Sequence, residues 1–237
     1  MSIKTRVVSS ITEWYESLTG ERTLTAAPVR FVEDFLGKAF DTTNIWTARD
    51  TGAATEALVS NGANGLLALT LDATSEAQLA GIDWGDSKTL VLNRGLVFEA
   101  RFCLNVLPTT GVVAAIGLCS SHNAAVDTVA TSLWFRLDAS GVITVETDDG
   151  TTETSRVSTG VTVVADEYVV ARIDATDPAD VRFYLDGEAV ALETGFNVNA
   201  TPTVALQPVA RIGKESAGTG VGTIYVDSIR VAQNRSA

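Results

Sequence analysis

What this sequence lacks narrows it before any motif does. Its 237 residues hold two cysteines, Cys103 and Cys119, and one histidine, His122. So small a set builds neither a disulfide scaffold nor a Cys/His zinc site. Charged residues are sparse, at 19%, against roughly 25% in an average globular chain. Positive charge is the scarcer sign: 17 Lys and Arg stand against 29 Asp and Glu, a net of −12, and no basic run occurs. Phosphate backbones demand clustered cations, so no nucleic-acid partner is expected. No apolar stretch reaches the roughly 18 residues of a membrane-spanning helix, so no membrane is expected either. The segment Met1–Arg6 is polar and no apolar stretch follows it, which predicts no secretory leader. The sequons at Asn199 and Asn234 then carry little weight.

What is present is apolar. Hydrophobic residues make up 46% of the chain, and mean hydropathy is +0.19. That is enough for a sizeable core in one domain, and all-β domains often run to about 200–250 residues. Residues 1–25 differ from the rest. Ser10-x-x-Glu13 reads as a capping box and Gly20 as a helix stop. Between them Ile11, Trp14, Tyr15 and Leu18 fall at the spacing of one helix face. A helix this short is not stable alone, so its stripe must dock. It docks either on its own domain or, as an arm, on a neighbouring subunit. The second reading makes Ile11, Trp14, Tyr15 and Leu18 partner-binding residues, because large aromatic side chains are enriched at interface hot spots.

From about residue 30 the pattern is β. Strand-like runs are Glu56–Ser60, Leu66–Asp72, Ala77–Trp84, Thr89–Leu92, Leu96–Leu107 and Val112–Cys119. They continue at Thr131–Leu137, Val142–Thr147, Glu153–Val157, Glu167–Asp174, Val181–Leu185, Ala189–Leu192, Gln207–Gly213 and Gly222–Ala232. In the fifth run Leu96, Phe98, Ala100, Phe102, Leu104 and Val106 share one face by period two. Turns rich in Asp, Gly, Ser and Pro separate the runs. With no long helical pattern, this predicts an antiparallel β-sandwich over 26–237, preceded by an N-terminal arm or helix over 1–25. Pro108–Gly111 reads as a hairpin turn that sets Cys103 opposite Ile116 and Cys119 opposite Ala100. The two sulfurs would then point to opposite sides of one sheet and stay free thiols.

Three segments carry a family likeness. The run Tyr168–Asp174 followed by Asp180-Val-Arg-Phe-Tyr-Leu-Asp-Gly187 resembles the "FYxDG" hairpin of concanavalin A-like and laminin-G-like jelly rolls. Ile224–Val231 resembles the closing strand of that fold, which returns beside the first. Phe31-Val-Glu-Asp-Phe-Leu-Gly37 with Trp46 resembles its opening strand. Within the fold, the arm and the scarcity of cysteine resemble tailed-phage virion proteins. That likeness implies a non-enzymatic capsid decoration protein, located in the virion and binding the major capsid protein or another virion protein. It also implies a homo-oligomer, with a trimer as the first guess. The alternative is a carbohydrate-binding module or receptor-binding adhesin of a phage tail or fibre, with a glycan as partner.

No catalytic, cofactor or metal residues are expected. Glycosidases on such folds need two carboxylates on one strand face. Glu146-Thr-Asp148-Asp149 comes nearest, but its aspartates run into Gly150 and read as solvated turn residues. A Ser-His-Asp triad would have to use His122, which reads as a surface-loop residue. Gly213-Lys214-Glu215-Ser216 imitates the end of a P-loop without its first glycine or its helix, and Gly218–Gly222 reads as a flexible loop. Asp83, Asp86, Asp148 and Asp149 are acidic and near turns, but lack the spacing of a calcium loop. Of Trp14, Trp46, Trp84 and Trp134, each reads as packing rather than a sugar platform.

Overall fold

In the computed structural model residues 29–235 are described in full, and before them the backbone of 3–8, 11–16 and 22–24. Strands β1 (Ile3–Val8), β2 (Ile11–Glu16) and β3 (Arg22–Leu24) form a separate antiparallel sheet in that order. Val8 pairs with Ile11 and Ile3 with Glu16. The expected helix is therefore corrected: Ile11, Trp14 and Tyr15 lie on a strand. Leu18 and Gly20 lie outside the described residues. Composition outweighs spacing here, because Ile, Thr, Trp and Tyr favour extended backbone and an isolated short helix is marginal. A strand's period of two does not gather positions 11, 14, 15 and 18 on one face.

The sandwich is built from β4 (Val29–Glu33), β5 (Thr47–Ala48), β6 (Thr55–Leu58), β7 (Leu67–Leu71), β8 (Glu76–Asp83), β9 (Leu90–Val91), β10 (Leu96–Val106), β11 (Val113–Cys119), β12 (Ser132–Leu137), β13 (Val142–Asp148), β14 (Glu153–Thr162), β15 (Val169–Ala175), β16 (Arg182–Leu185), β17 (Glu188–Val190), β18 (Ala205–Gly218) and β19 (Gly222–Gln233). The first sheet runs β17-β16-β15-β10-β19-β7-β6, with β4 also on β19. The second runs β14-β13-β12-β11-β18-β8-β5, with β9 also on β18. As expected, the closing strand returns beside the opening one: Val231 of β19 pairs with Phe31 of β4. The glutamate of the opening segment has a physical task. Its carboxylate accepts from Phe35 N at 2.8 Å and from the Trp46 indole at 3.0 Å, pinning two buried rings.

Alternation places the core between the sheets. Leu96, Phe98, Ala100, Phe102 and Leu104 of β10 pack in one cluster with Ala114, Ile116 and Leu118 of β11. Each large side chain so buried contributes about 1.5–3 kcal/mol. The "FYxDG" hairpin forms as read. Val181, Phe183 and Leu185 are buried while Arg182 is exposed. Asp186 and Gly187 take φ of 50° and 87°, the paired positive values of a tight type I′ turn.

One pairing differs from expectation. β10 and β11 do not form a hairpin: Cys103 lies opposite Tyr225 on β19, and Cys119 opposite Ser132 and Gln207. Residues 107–112 instead carry the chain from the first sheet to the second. Period two reports which side chains face the core, not which strand supplies the next hydrogen bonds. The thiols are nonetheless free. The reason is separation by sheets, which stack about 10 Å apart, rather than a hairpin register.

Candidate functional site

The inner face of the second sheet belongs to the core. Its outer face is a row-by-row array of polar groups. Thr144, Arg136, Ala115, Arg211 and Gly81 stand side by side across β13, β12, β11, β18 and β8. The next row is Glu146, Trp134, Gly117, Val209 and Asp83. Outward-facing residues of a sheet normally meet solvent. Here Arg136, Glu146, Trp134, Arg211 and Asp83 are each no more than 5% exposed.

The cover is the connection between β11 and β12, residues 120–131. These strands are antiparallel neighbours, which a loop of two to five residues commonly joins. The longer connection folds back over the sheet as a strap. Its Val126 and Val129 pack on Ala115, Cys119, Trp134 and Val209, a small apolar cluster separate from the main core. Polar contacts tie it down. Arg211 donates to the carbonyls of Asn123 and Ala124. Val126 N donates to Glu215 at 2.8 Å, and His122 N to Asp86 at 2.7 Å. Asp127 ion-pairs with Arg136.

On the β13 side the strap meets an ionic group. Arg136 Nη1 donates to Glu146 at 2.9 and 3.1 Å and also to Asp127. Trp134 Nε1 donates to Glu146 at 2.9 Å. Two carboxylates thus share one nitrogen, which holds them within about 6 Å of each other, twice a hydrogen-bond length. Arg136 Nη2 is buried and has no hydrogen-bond partner. Partial burial, then the charges of Glu146, Asp148 and Asp127, push the nearby Glu153 carboxyl up.

On the β8 side stands Asp83, 1% exposed. It accepts from Arg49 at 2.8 and 3.1 Å and from Gly85 N at 2.6 Å, and His122 Nδ1 lies 3.5 Å away. Burial pushes the Asp83 carboxyl up, but the bonds from His122, Arg49 and Gly85 outweigh it and hold the carboxyl below its ordinary range. Gln207 completes this group, accepting from Trp84 N and Asp86 N at 3.0 Å each and donating to Asp86 at 2.7 Å.

Between the strap and β18 opens a cavity of about 180 Å³, lined by Asp127, Arg136, Arg211, Glu215, Ser216 and Val126 among others. Burial lowers the pKa of Arg211 from its ordinary value. The cavity offers guanidinium donors, carboxylate acceptors and a hydroxyl within a few ångströms. A ligand that both donates and accepts many hydrogen bonds fits it chemically. A shallower groove of about 280 Å³, lined by Phe31, Asn44, Ile45, Trp84, Ser87 and Thr89, lies elsewhere. It has aromatic walls but no charged group.

Several sequence readings now find their places. Glu146 lies within β13, as the strand reading of Val142–Thr147 has it, and at 2% exposed it is buried rather than solvated. Asp148 and Asp149 do serve the turn, accepting from Gly150 N at 2.7 Å and from Thr151 N and Thr152 N at 2.9 and 2.7 Å. His122 is on a loop but leans on Asp83. Lys214 belongs to β18, and its ammonium donates to the carbonyls of Asp72, Thr74, Gly218 and Gly220 at 2.7–3.2 Å. Trp46 is in the main core, Trp134 lies under the strap, and Trp84 packs edge-on against Phe31 at 5.1 Å. Among the described residues no group of three or more His, Cys, Asp or Glu side chains is placed to hold a metal ion. Arg136, Arg211 and Glu215 were not singled out for binding, because nothing in a strand's local sequence says that a distant loop will cover it.

No family model matches the sequence, and no curated protein matches it. Solved structures do match. One comes from human gut microbiota whose endo-acting O-glycanases initiate mucin breakdown: TM-score 0.60, 15% identity, over 86% of this chain and 99% of that one. The β-glucanase of Bacillus licheniformis matches at 0.56 and 13%, over 87% and 98%. The Emp47p carbohydrate recognition domain matches at 0.59 and 10%, over 87% and 95%. At such identities the likeness is one of fold, and the fold is that of the concanavalin A-like jelly-roll sandwiches. The same finding corrects the expected function. A non-enzymatic virion structural protein is contradicted by neighbours that are mostly carbohydrate-active enzymes. These neighbours back the alternative, a carbohydrate-binding module or adhesin, better than the virion reading.

Proposed function

We propose that this chain is a carbohydrate-directed domain that seats a sugar residue in the cavity between the strap and β18. The observation that carries this is the cavity's lining. Asp127 and Glu215 offer carboxylate oxygens, Arg136 and Arg211 guanidinium groups, and Ser216 a hydroxyl, in about 180 Å³. Sugar hydroxyls both donate and accept, so one ring can satisfy such a set, and charge-assisted bonds of this kind are the strong ones. The fold's recurrence in glycan-active and glycan-recognising proteins supports the same reading.

Glycan cleavage is favoured by one further observation. Asp127 and Glu146 converge on Arg136 Nη1, which brings together two carboxylates, the groups that glycoside hydrolysis uses, with Asp127 on the cavity wall and Glu146 buried beneath the strap. The test is a panel of β-glucan, alginate and mucin-type oligosaccharides, scored for both binding and turnover. At least one glycan should bind or be cleaved. Asp127→Asn with Glu215→Gln should weaken that response about tenfold or more, as loss of charged hydrogen bonds does; because these carboxylates also tie Arg136 and Val126 N, a circular dichroism spectrum matching the parent's, rather than an unchanged melting temperature, shows that the sandwich is intact. A silent panel, or a variant that performs as the parent does, would overturn the reading.

A further inference from the structure

Burial of charge beneath the strap is a physical anomaly that the sandwich does not need. Arg136 and Glu146 sit on the outer face of a sheet and are 3% and 2% exposed. The residues pressing on them belong to a connection far longer than its two strands require. The strap's apolar anchorage is thin, with Val126 and Val129 as its two buried side chains in the cluster. Its polar ties are to Glu215 and Arg211, to Arg136 itself and, at its start, through His122 to Asp86 and Asp83. With the strap down, Arg136 Nη2 is left without an acceptor. An unsatisfied buried donor is expensive, the more so on a charged group. The closed arrangement therefore stores an unmet bond at the spot where the cavity meets the strap, since Val126 and Asp127 form the cavity wall and Arg136 part of its lining.

We propose that residues 120–131 are a movable cover, and that a glycan enters beneath it onto Trp134, Arg136 and Glu146. This rests on the carbohydrate reading above and extends it. The open cavity is the mouth of a longer groove whose floor is the Trp134–Glu146 row. Lifting the strap frees an indole face for a sugar ring to stack upon and gives Arg136 Nη2 a ligand hydroxyl to bond. Since the binding-competent form is then a minor one, apparent affinity scales with its population.

Cys119 reports the motion without any ligand. Its thiol lies under Val126 and Val129 in the strap cluster, and Cys103 lies on the other sheet. The parent chain is treated with a small neutral thiol reagent under native conditions, and modification of each cysteine is followed by peptide mass spectrometry. Cys119 should react faster than global unfolding, as measured separately in urea, allows. Val129→Ala, which loosens the strap's apolar hold, should raise that rate roughly tenfold, a change of about 1.4 kcal/mol, and tighten binding of a β-glucan or mucin-type oligosaccharide by a similar factor. If Cys119 reacts only at the rate of global unfolding, the strap is a fixed part of the fold and the proposal is wrong, whether or not a glycan binds. If the strap opens but Val129→Ala leaves affinity unchanged, the glycan does not sit beneath it. If the strap opens and no oligosaccharide binds either chain, it is the carbohydrate reading that has failed, and the occupant with it.

Discussion

Arg136 holds both carboxylate oxygens of Glu146 with a single nitrogen, at 3.1 and 2.9 Å, and the two side chains are each 3% exposed. A buried pair of this kind is strongly coupled. Removing one partner leaves a charge uncompensated and costs about 3–5 kcal/mol, while replacing both by apolar groups of similar size is often neutral. Glu146→Gln and Arg136→Met should each lower the urea midpoint markedly with the slope unchanged. The double variant Arg136→Met with Glu146→Gln, which keeps an acceptor for the Trp134 indole, should lose less than the sum of the two single losses. Additive losses would mean that the pair is not coupled.

Lys214 is a second buried charge, 3% exposed and met by four carbonyls rather than a carboxylate. The ammonium ties Asp72 and Thr74, after β7, to Gly218 and Gly220 at the β18–β19 turn. Lys214→Met keeps the aliphatic stem and strands those oxygens. A loss of about 2–4 kcal/mol is expected by chemical denaturation, from charged hydrogen bonds worth about 1.5–3 kcal/mol each, partly offset by water. A change under about 0.5 kcal/mol would show that the carbonyls are satisfied without it.

How much of this was legible beforehand follows from what period two reports. It puts Leu96 to Val106 on one face and Val181 to Leu185 on another; Leu96 to Leu104 and Val181 to Leu185 are buried, while Val106, past a register shift after Leu104, is 40% exposed. The likeness of Phe31–Gly37 and Ile224–Val231 to opening and closing strands gave the β4–β19 pairing. It could not show that β10 and β11 lie in different sheets, because inward alternation is the same in a hairpin and in a crossing. The helix expected around Trp14 failed for a related reason: i, i+3, i+4 spacing over eight residues is a weak signal against β-favouring side chains. The site was the least legible part. The sequence places Glu146 on a strand beside turn aspartates, but only the strap explains why a strand's outward glutamate is dry.

Glu56 gives the chain a pH dependence. Burial, then the charge of Asp50, push its carboxyl from 4.5 to about 7, and its Oε2 is buried without a partner. A folded pKa above the unfolded one means that the favourable contribution is complete below pH 4.5 and is lost as pH rises through about 7. Glu56→Gln should therefore match the parent at low pH and surpass it in the alkaline range, read as urea midpoints at about pH 3.5 and about pH 8. Equal midpoints for the two chains at both values would show that Glu56 ionises without penalty.

The thiols provide a simple check on topology. Cys103 and Cys119 are both buried and lie in opposite sheets. Burial pushes the Cys119 thiol to about 12, and burial raises Cys103 as well. Titration of the denatured, unreduced chain should find two reactive groups. Finding none would mean a disulfide that the two-sheet arrangement forbids.

Carbohydrate held at the cavity between the strap and β18 would mark its own seat in amide chemical shifts, mapped while the best-binding oligosaccharide of the panel is titrated in. Saturable shifts are expected, centred on Gly111, Asp127, Arg136, Arg211 and Ser216, which line that cavity. Shifts confined to Phe31, Ile45, Trp84 and Thr89, around the aromatic groove, would place the sugar elsewhere and contradict that seat.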